Sequence, residues 1–213
     1  MSEVEVGRDV PHRDTFRSVL QRWSKLHDAY REKVDDLAWW YSERANISVL
    51  SAAFWQEEGT SFALQDLRVM RGRRGARKGR GDVRVHMADF AVNIEARLVW
   101  PRLANRKAVE AVKNALADAD SALNDHEADE RADVGISMAF VVPELNVRFP
   151  DKIVSRAHEL GDLLRNDLVR GRGDGLWAEV FVPPEQGRTW LGKDERYAYP
   201  AAFLVGRLRW PRF

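Results

Sequence analysis

The sequence of 213 residues contains no cysteine and no apolar run that approaches the roughly 20 residues needed to span a bilayer. Without cysteine there are no disulfides, no thiol catalysis and no thiolate metal sites, so any metal or catalytic chemistry must use carboxylates and histidines. The N-terminus, MSEVEVGRDVPHRD, is acidic where a secretory signal carries positive charge followed by an apolar segment. We therefore expect a cytoplasmic protein that does not enter a membrane.

Neither sign of charge dominates, because 34 basic side chains stand against 33 acidic ones. Hydrophobic residues make up 45% and charged residues 31%, which is typical of a globular domain and not of a disordered chain. Binding to nucleic acid would then depend on local clusters of charge rather than on the net charge. The length predicts one α/β domain over residues 25–213, preceded by a largely helical N-terminal extension over residues 1–24.

Hydrophobic periodicity predicts helices and strands that alternate along the chain. A long helix is expected from residue 16 to about residue 55, with a break near Asp35 and Asp36. Further helices are predicted over 103–124 and 151–168, and strands over 61–72, within 81–100, over 134–143, and in two segments near 175–184 and 197–210. This order implies a mixed central sheet covered by helices on both faces.

The segment GDVRVHMADFAVNIEARLVW, residues 81–100, predicts a β-hairpin with Ala88 and Asp89 in the turn. The predicted pairs are Val85 with Val92, Val83 with Ile94, His86 with Ala91, Arg84 with Asn93, and Asp82 with Glu95. Two acids directly opposed in a sheet destabilise it unless a cation lies between them. A divalent metal ion would supply that charge. Arg97, which shares their face, could also supply it within a simple surface ion-pair cluster.

The predicted long helix contributes a third acid, Glu43, which lies among the core-facing residues of one helical stripe. That stripe also contains Asp36, Trp40, Ile47, Leu50 and Phe54 at steps of three and four. A charged side chain on an apolar stripe needs a partner. The partner could be a metal shared with the sheet acids, or a cation such as Arg44.

A glycine- and arginine-rich segment, GRRGARKGRG, precedes the hairpin and is predicted to be a loop. Its composition suits phosphate contacts that do not depend on sequence, although a solvated connection has the same composition. The predicted nucleic-acid contacts, which include the arginine just before the segment, are Arg71, Arg73, Arg74, Arg77, Lys78 and Arg80.

The predicted order is a helix with Glu43, a strand, a strand that opens on Asp82, a strand with "IEAR", a helix and a buried strand. This order resembles the PD-(D/E)xK nuclease superfamily. Those restriction-endonuclease-like proteins share an αβββαβ core, which the match would cover over roughly residues 30 to 143. An Asp opens the second strand there, an (Asp/Glu)-x-Lys lies on the third, and many members add a Glu from the first helix. The resemblance implies that Asp82 and Glu95 are metal ligands, that Glu43 is an auxiliary ligand, and that Arg97 occupies the lysine position.

The resemblance therefore implies a nuclease that hydrolyses DNA with Mg²⁺ or Mn²⁺, with Asp82, Glu95 and Arg97 as the catalytic residues. Arginine remains charged and is a poor base, whereas the lysine of the family is thought to position or activate the attacking water. A second interpretation is accordingly a catalytically inactive nuclease-fold protein that binds nucleic acid or a protein partner. A third is a structural subunit with no role on nucleic acid. A homodimer would suit cleavage of both strands of a duplex.

Overall fold

Four α-helices and nine strands alternate along the described chain. The computed structural model describes residues 3–71, 77–102, 105–124, 132–148, 152–182 and 196–209, with the backbone alone for residues 66–71 and 77–81. The helices are α1 (Arg13–Val34), α2 (Glu43–Trp55), α3 (Arg106–Asn124) and α4 (Ile153–Leu168). The strands are β1 (Val4–Val6), β2 (Thr60–Arg71), β3 (Arg77–Met87), β4 (Ala91–Val99), β5 (Val134–Val141), β6 (Leu145–Asn146), β7 (Gly175–Phe181), β8 (Tyr197–Ala198) and β9 (Ala201–Arg209). Among these residues, no helix combines the length and the apolar character needed to cross a bilayer.

Seven of the strands form one mixed sheet in the order β1-β7-β9-β5-β4-β3-β2. Strands β4 and β5 are parallel, and every other neighbouring pair in this sheet is antiparallel. Helix α3 connects the two parallel strands and contacts both of them, as expected for a crossover between parallel neighbours. Strands β6 and β8 form a separate antiparallel pair.

Helices cover both faces of the sheet, and the side chains of β5 show the division. Ile136, Met138 and Phe140 belong to the hydrophobic cluster that contains the buried residues of α1 and α2. Ala139 and Val141 belong to the cluster that contains those of α3 and α4. Because successive residues of a strand face opposite sides, one strand contributes to both halves of the core. The α/β class and the mixed sheet between helices are therefore confirmed.

The N-terminal segment packs into the same core. Strand β1 pairs with β7 through Val4↔Ala178 and its neighbours, and the proposed boundary at residue 24 falls inside α1. Phe16 and Trp23 of α1 are at most 1% exposed. The structure therefore places these residues of the proposed extension within the main core. Strand β1 was not predicted, because three residues are too few for a periodic signal.

The break predicted near Asp35 and Asp36 separates two distinct helices. Asp35 caps α1 in the left-handed region with φ 55°, a conformation that Asp adopts more readily than most residues. A short 3₁₀ helix then covers Ala38–Trp40. Helix α2 begins at Glu43, and the side chain of Ser42 caps it by accepting a hydrogen bond from the Ala45 amide at 3.2 Å.

The prediction of a loop over residues 72–81 is wrong for residues 77–81, which belong to a strand. Strand β3 begins at Arg77, five residues before Asp82, and pairs with β2 from Arg71↔Arg77 to Leu67↔Gly81. Glycine and arginine have weak strand propensity, but pairing with a neighbouring strand outweighs local preference in sheets. Asp82 therefore lies in the middle of a long strand and does not open it.

Candidate metal and catalytic site

The register of the β3–β4 hairpin places the candidate acids. Four predicted pairs are confirmed, from His86↔Ala91 to Val83↔Ile94. The Met87 amide also donates to the Phe90 carbonyl oxygen at 2.9 Å across the turn. The predicted pair of Asp82 with Glu95 would continue this ladder, but the strand pairing ends at Val83↔Ile94. The side chain of Asp82 contacts β4 instead. It accepts a hydrogen bond from the backbone of β4.

Two carboxylates satisfy backbone donors of β4 beyond its last pair with β3. Asp82 Oδ2 accepts from the Ala96 amide at 2.8 Å, and Glu43 Oε2 accepts from the Leu98 amide at 2.9 Å. Amides two residues apart point to the same edge of a strand, so Asp82 and Glu43 lie along one edge. Side-chain oxygens thus replace the strand hydrogen bonds where β3 leaves β4, and each carboxylate has a second oxygen for other contacts.

Glu43 reaches this edge from the start of a helix. The apolar stripe that predicted its position continues in α2 as Ile47, Leu50 and Phe54, all of which are buried. Glu43 itself is the first residue of α2 and only partly buried. The positive end of the helix dipole favours an acid at this position. The sequence predicted Glu43 among core-facing side chains within a long helix, whereas the structure places it, half-buried, at the N-terminus of a separate helix.

Glu95 and Arg97 complete the cluster from β4. Glu95 is 1% exposed, and its Oε2 lies 3.8 Å from Arg97 Nη1. The same Nη1 lies 3.6 Å from Asp82 Oδ2 and donates to the Ala96 carbonyl oxygen at 2.6 Å. Arg97 therefore bridges the two acids, as the metal-free interpretation of the hairpin expects.

The environment of Asp82 raises the pKa of its carboxyl from 3.8 to about 6. Burial is the largest cause and the charges of Glu95 and Glu43 act in the same direction, whereas the Ala96 amide and Arg97 lower the pKa. Glu43 of α2 and Glu95 of β4 are thus each close enough to Asp82 of β3 to raise its pKa. A perturbed carboxylate among like charges is typical of cation sites and of catalytic sites. We name Glu43, Asp82, Glu95 and Arg97 the acid cluster.

The donor chemistry of the acid cluster suits a hard cation such as Mg²⁺. Carboxylate oxygens are its preferred protein ligands, and one or two of them usually suffice because water and substrate phosphate complete the shell. Within the described residues, no three His, Asp or Glu side chains already form a metal-binding group. The carboxylates of Asp82 and Glu95 lie 3.6 Å and 3.8 Å from Arg97 Nη1. An ion held by these two carboxylates would therefore take the place of the guanidinium.

The predicted nucleic-acid contacts divide between described and undescribed residues. Arg73 and Arg74 lie outside the described residues. For the others the structure gives the backbone alone: Arg71 ends β2, and Arg77, Lys78 and Arg80 lie on β3. Arg80 is two residues before Asp82, about 7 Å along a strand. The four described basic residues therefore lie in the paired strands β2 and β3 and not in a loop, and β3 also contains Asp82 of the acid cluster.

A groove that the sequence analysis missed lies just beyond the acid cluster. It has a volume of about 180 Å³ and is lined by Val99, Trp100, Pro101, Arg102, Asn105, Lys107, Ala108 and Ala111. The indole of Trp100 is 46% exposed. The sequence carried a signal for it in Trp100, which follows the strand, and in the basic pair at the start of the next helix. Its concave shape depends on how β4 and α3 pack.

Comparisons with known protein families, with curated proteins and with solved structures found no match to this chain.

Proposed function

We propose that this protein is a Mg²⁺-dependent nuclease that hydrolyses phosphodiester bonds of DNA, with a restriction-endonuclease-like αβββαβ core. The observation that carries the proposal is the convergence of Glu43, Asp82, Glu95 and Arg97 at the edge of β4. The order α2, β2, β3, β4, α3, β5, with β4 parallel to β5, supports it because the resemblance implies that order. Mn²⁺ is an alternative ion with similar ligand preferences.

The residues of the cluster have separable roles in this proposal. Asp82 and Glu95 would hold the ion, and Glu43 would orient the edge of β4 through the Leu98 amide and add negative charge. When bound, Mg²⁺ would neutralise charge on the scissile phosphate and acidify the attacking water. Arg97 would leave its bridging position and bind a phosphate oxygen, where its fixed charge stabilises the transition state. The basic residues of the hairpin would contact the backbone of the DNA.

The test of the proposal is cleavage of plasmid and labelled duplex DNA with Mg²⁺ or Mn²⁺. We expect the parent to cleave and the folded variants Asp82→Ala and Glu95→Gln to lose at least about 100-fold in rate, since each removes a ligand. Asp89→Asn is the matched control, because Asp89 is an exposed acid in the turn of the same hairpin. Equal cleavage by the parent and both cluster variants would reject the site.

A second candidate function is a nuclease-fold protein that binds DNA without cutting it. The observation that favours it is Arg97, whose guanidinium contacts both acids and a backbone carbonyl oxygen of its own strand. The variant Arg97→Lys separates the two candidates. Lysine keeps the positive charge and restores the residue that the resemblance expects. Cleavage that appears only in Arg97→Lys would identify the parent as the inactive form.

A further inference from the structure

The groove beside Trp100 is a direct continuation of the acid cluster. Val99 ends β4 and shares a strand face with Arg97, since the two residues are two positions apart. Trp100 is three positions from Arg97, about 10 Å along an extended chain. A stacked DNA strand carries one phosphate per roughly 3.4 Å of helix axis. A DNA strand that follows β4, with its scissile phosphate at Arg97, would therefore bring a nucleotide about three positions away to the groove.

The charge of the groove favours an anion. The Asn105 side-chain oxygen caps α3 by accepting from the amides of Lys107 at 3.0 Å and Ala108 at 3.3 Å. The first turn of this 19-residue helix contains Arg106 and Lys107 and no acid. Acids usually occupy this position, because cations are repelled by the positive end of the helix dipole. The repulsion would be relieved by a phosphate bound beside the turn.

The neighbouring acid does not cancel this charge. Glu144 accepts a hydrogen bond from Arg102 Nε at 2.7 Å, so these two residues neutralise each other at the rim. Glu110, one turn along α3, is 2.8 Å from Lys113. Among the described residues, the start of α3 therefore keeps the positive charge of Arg106 and Lys107 next to the exposed Trp100.

We propose that this groove binds an unpaired nucleotide of the substrate strand, with the base stacked on Trp100 and a flanking phosphate at the start of α3. This inference rests on the proposed function and specifies its substrate as DNA with a single-stranded end or flap. Aromatic side chains beside a basic surface are the chemistry by which proteins hold single strands. Bases inside a blunt duplex are stacked on their neighbours and do not present a free face to an indole.

The test compares binding of labelled blunt duplexes with binding of the same duplexes carrying three-nucleotide 5′ or 3′ overhangs, by fluorescence anisotropy in EDTA. The parent should bind at least one overhang about fivefold or more tighter than the blunt duplex, since removal of one stacking partner costs that much or more. Trp100→Ala should abolish the difference, and Trp100→Phe should keep part of it. Trp55→Ala is the matched control, because Trp55 is 50% exposed on α2.

The design also includes a second variant, Lys107→Gln, and a thermal-protection measurement with inorganic phosphate. Lys107→Gln should weaken binding of the overhang DNA and lower its dependence on salt by about one phosphate contact. Equal affinity of the parent for blunt and overhang DNA, or an equal loss for both in Trp100→Ala, would overturn the subsite. If inorganic phosphate raises the melting temperature of the parent and of Trp100→Ala equally while the parent shows no preference for overhang DNA, that combination would also overturn the subsite.

A separate cleavage assay with Mg²⁺ distinguishes failure of the subsite from failure of the nuclease. Cleavage without any dependence of overhang binding on Trp100 would reject the subsite alone. An overhang preference that depends on Trp100, in a protein that cuts no DNA, would reject the nuclease and keep the subsite as a binding feature.

Discussion

Replacing Asp82 by Asn should stabilise the protein, although Asp82 belongs to the proposed active site. The pKa of this carboxyl is raised from 3.8 to about 6, chiefly by burial and then by Glu95 and Glu43. That difference corresponds to about 3 kcal/mol of unfavourable ionisation. The side chain is 19% exposed and interacts with neighbouring acids, so we discount the figure to about 1–2 kcal/mol. Asn keeps an oxygen that can accept the Ala96 amide.

The sign follows from proton linkage. The folded state binds the proton of Asp82 more tightly than the unfolded state does. The contribution of Asp82 to the free energy of unfolding is therefore greatest below about pH 4 and is lost as the pH rises towards about 6. Asp82→Asn removes this loss. The variant should therefore match the parent near pH 4 and exceed it by about 1–2 kcal/mol at pH 8, or by about 2–8 °C in melting temperature.

The assay is urea unfolding in EDTA at unit steps from pH 4 to pH 8, for the parent, Asp82→Asn and the control Asp89→Asn. EDTA removes any divalent ion that would neutralise the cluster. The control should change stability by less than about 0.5 kcal/mol at every pH, because Asp89 is exposed. A variant that is less stable than the parent at pH 8, or a gain that does not vary with pH, would refute the reasoning.

Other substitutions in the acid cluster, and one at the buried His27, should also change stability in a pH-dependent or coupled way. Arg97→Ala should destabilise the protein by about 1–3 kcal/mol at pH 8 and by less at pH 5 in urea unfolding, since it removes the guanidinium that lies between Asp82 and Glu95; equal effects at both pH values would contradict this. Glu43→Gln should raise stability by less than Asp82→Asn does. The gain of the double variant should be smaller than the sum of the two single gains in a double-mutant cycle. Burial lowers the pKa of His27 to about 3. The free energy of unfolding of the parent should therefore fall by about 2 kcal/mol relative to that of His27→Leu between pH 7 and pH 5. Free energies of unfolding that change with pH in the same way in both proteins would contradict this.

Side-chain alternation predicted the hairpin well because strand pairing follows a strict period of two. The register from Val83↔Ile94 to His86↔Ala91 and the shared location of Glu95 and Arg97 both follow from that period. The α/β class followed in the same way from the alternation of helical and strand patterns along the chain.

Features that depend on long-range packing could not be predicted in the same way. The separation of β3 from β4 beyond Val83 exposes the Ala96 and Leu98 amides to carboxylates, and no local pattern encodes where two strands part. The extension of β3 back to Arg77 depends on pairing with β2, which outweighs the weak strand propensity of glycine. The groove at Trp100 exists only because α3 folds back beside the end of β4.

Whether the acid cluster binds a divalent cation can be measured by calorimetric titration of the metal-free protein with Mn²⁺. We expect weak but measurable binding to the parent, at least tenfold weaker binding to Glu95→Gln, and unchanged binding to Asp89→Asn. Identical titrations of the parent and Glu95→Gln, or no heat of binding in any of the three, would contradict it.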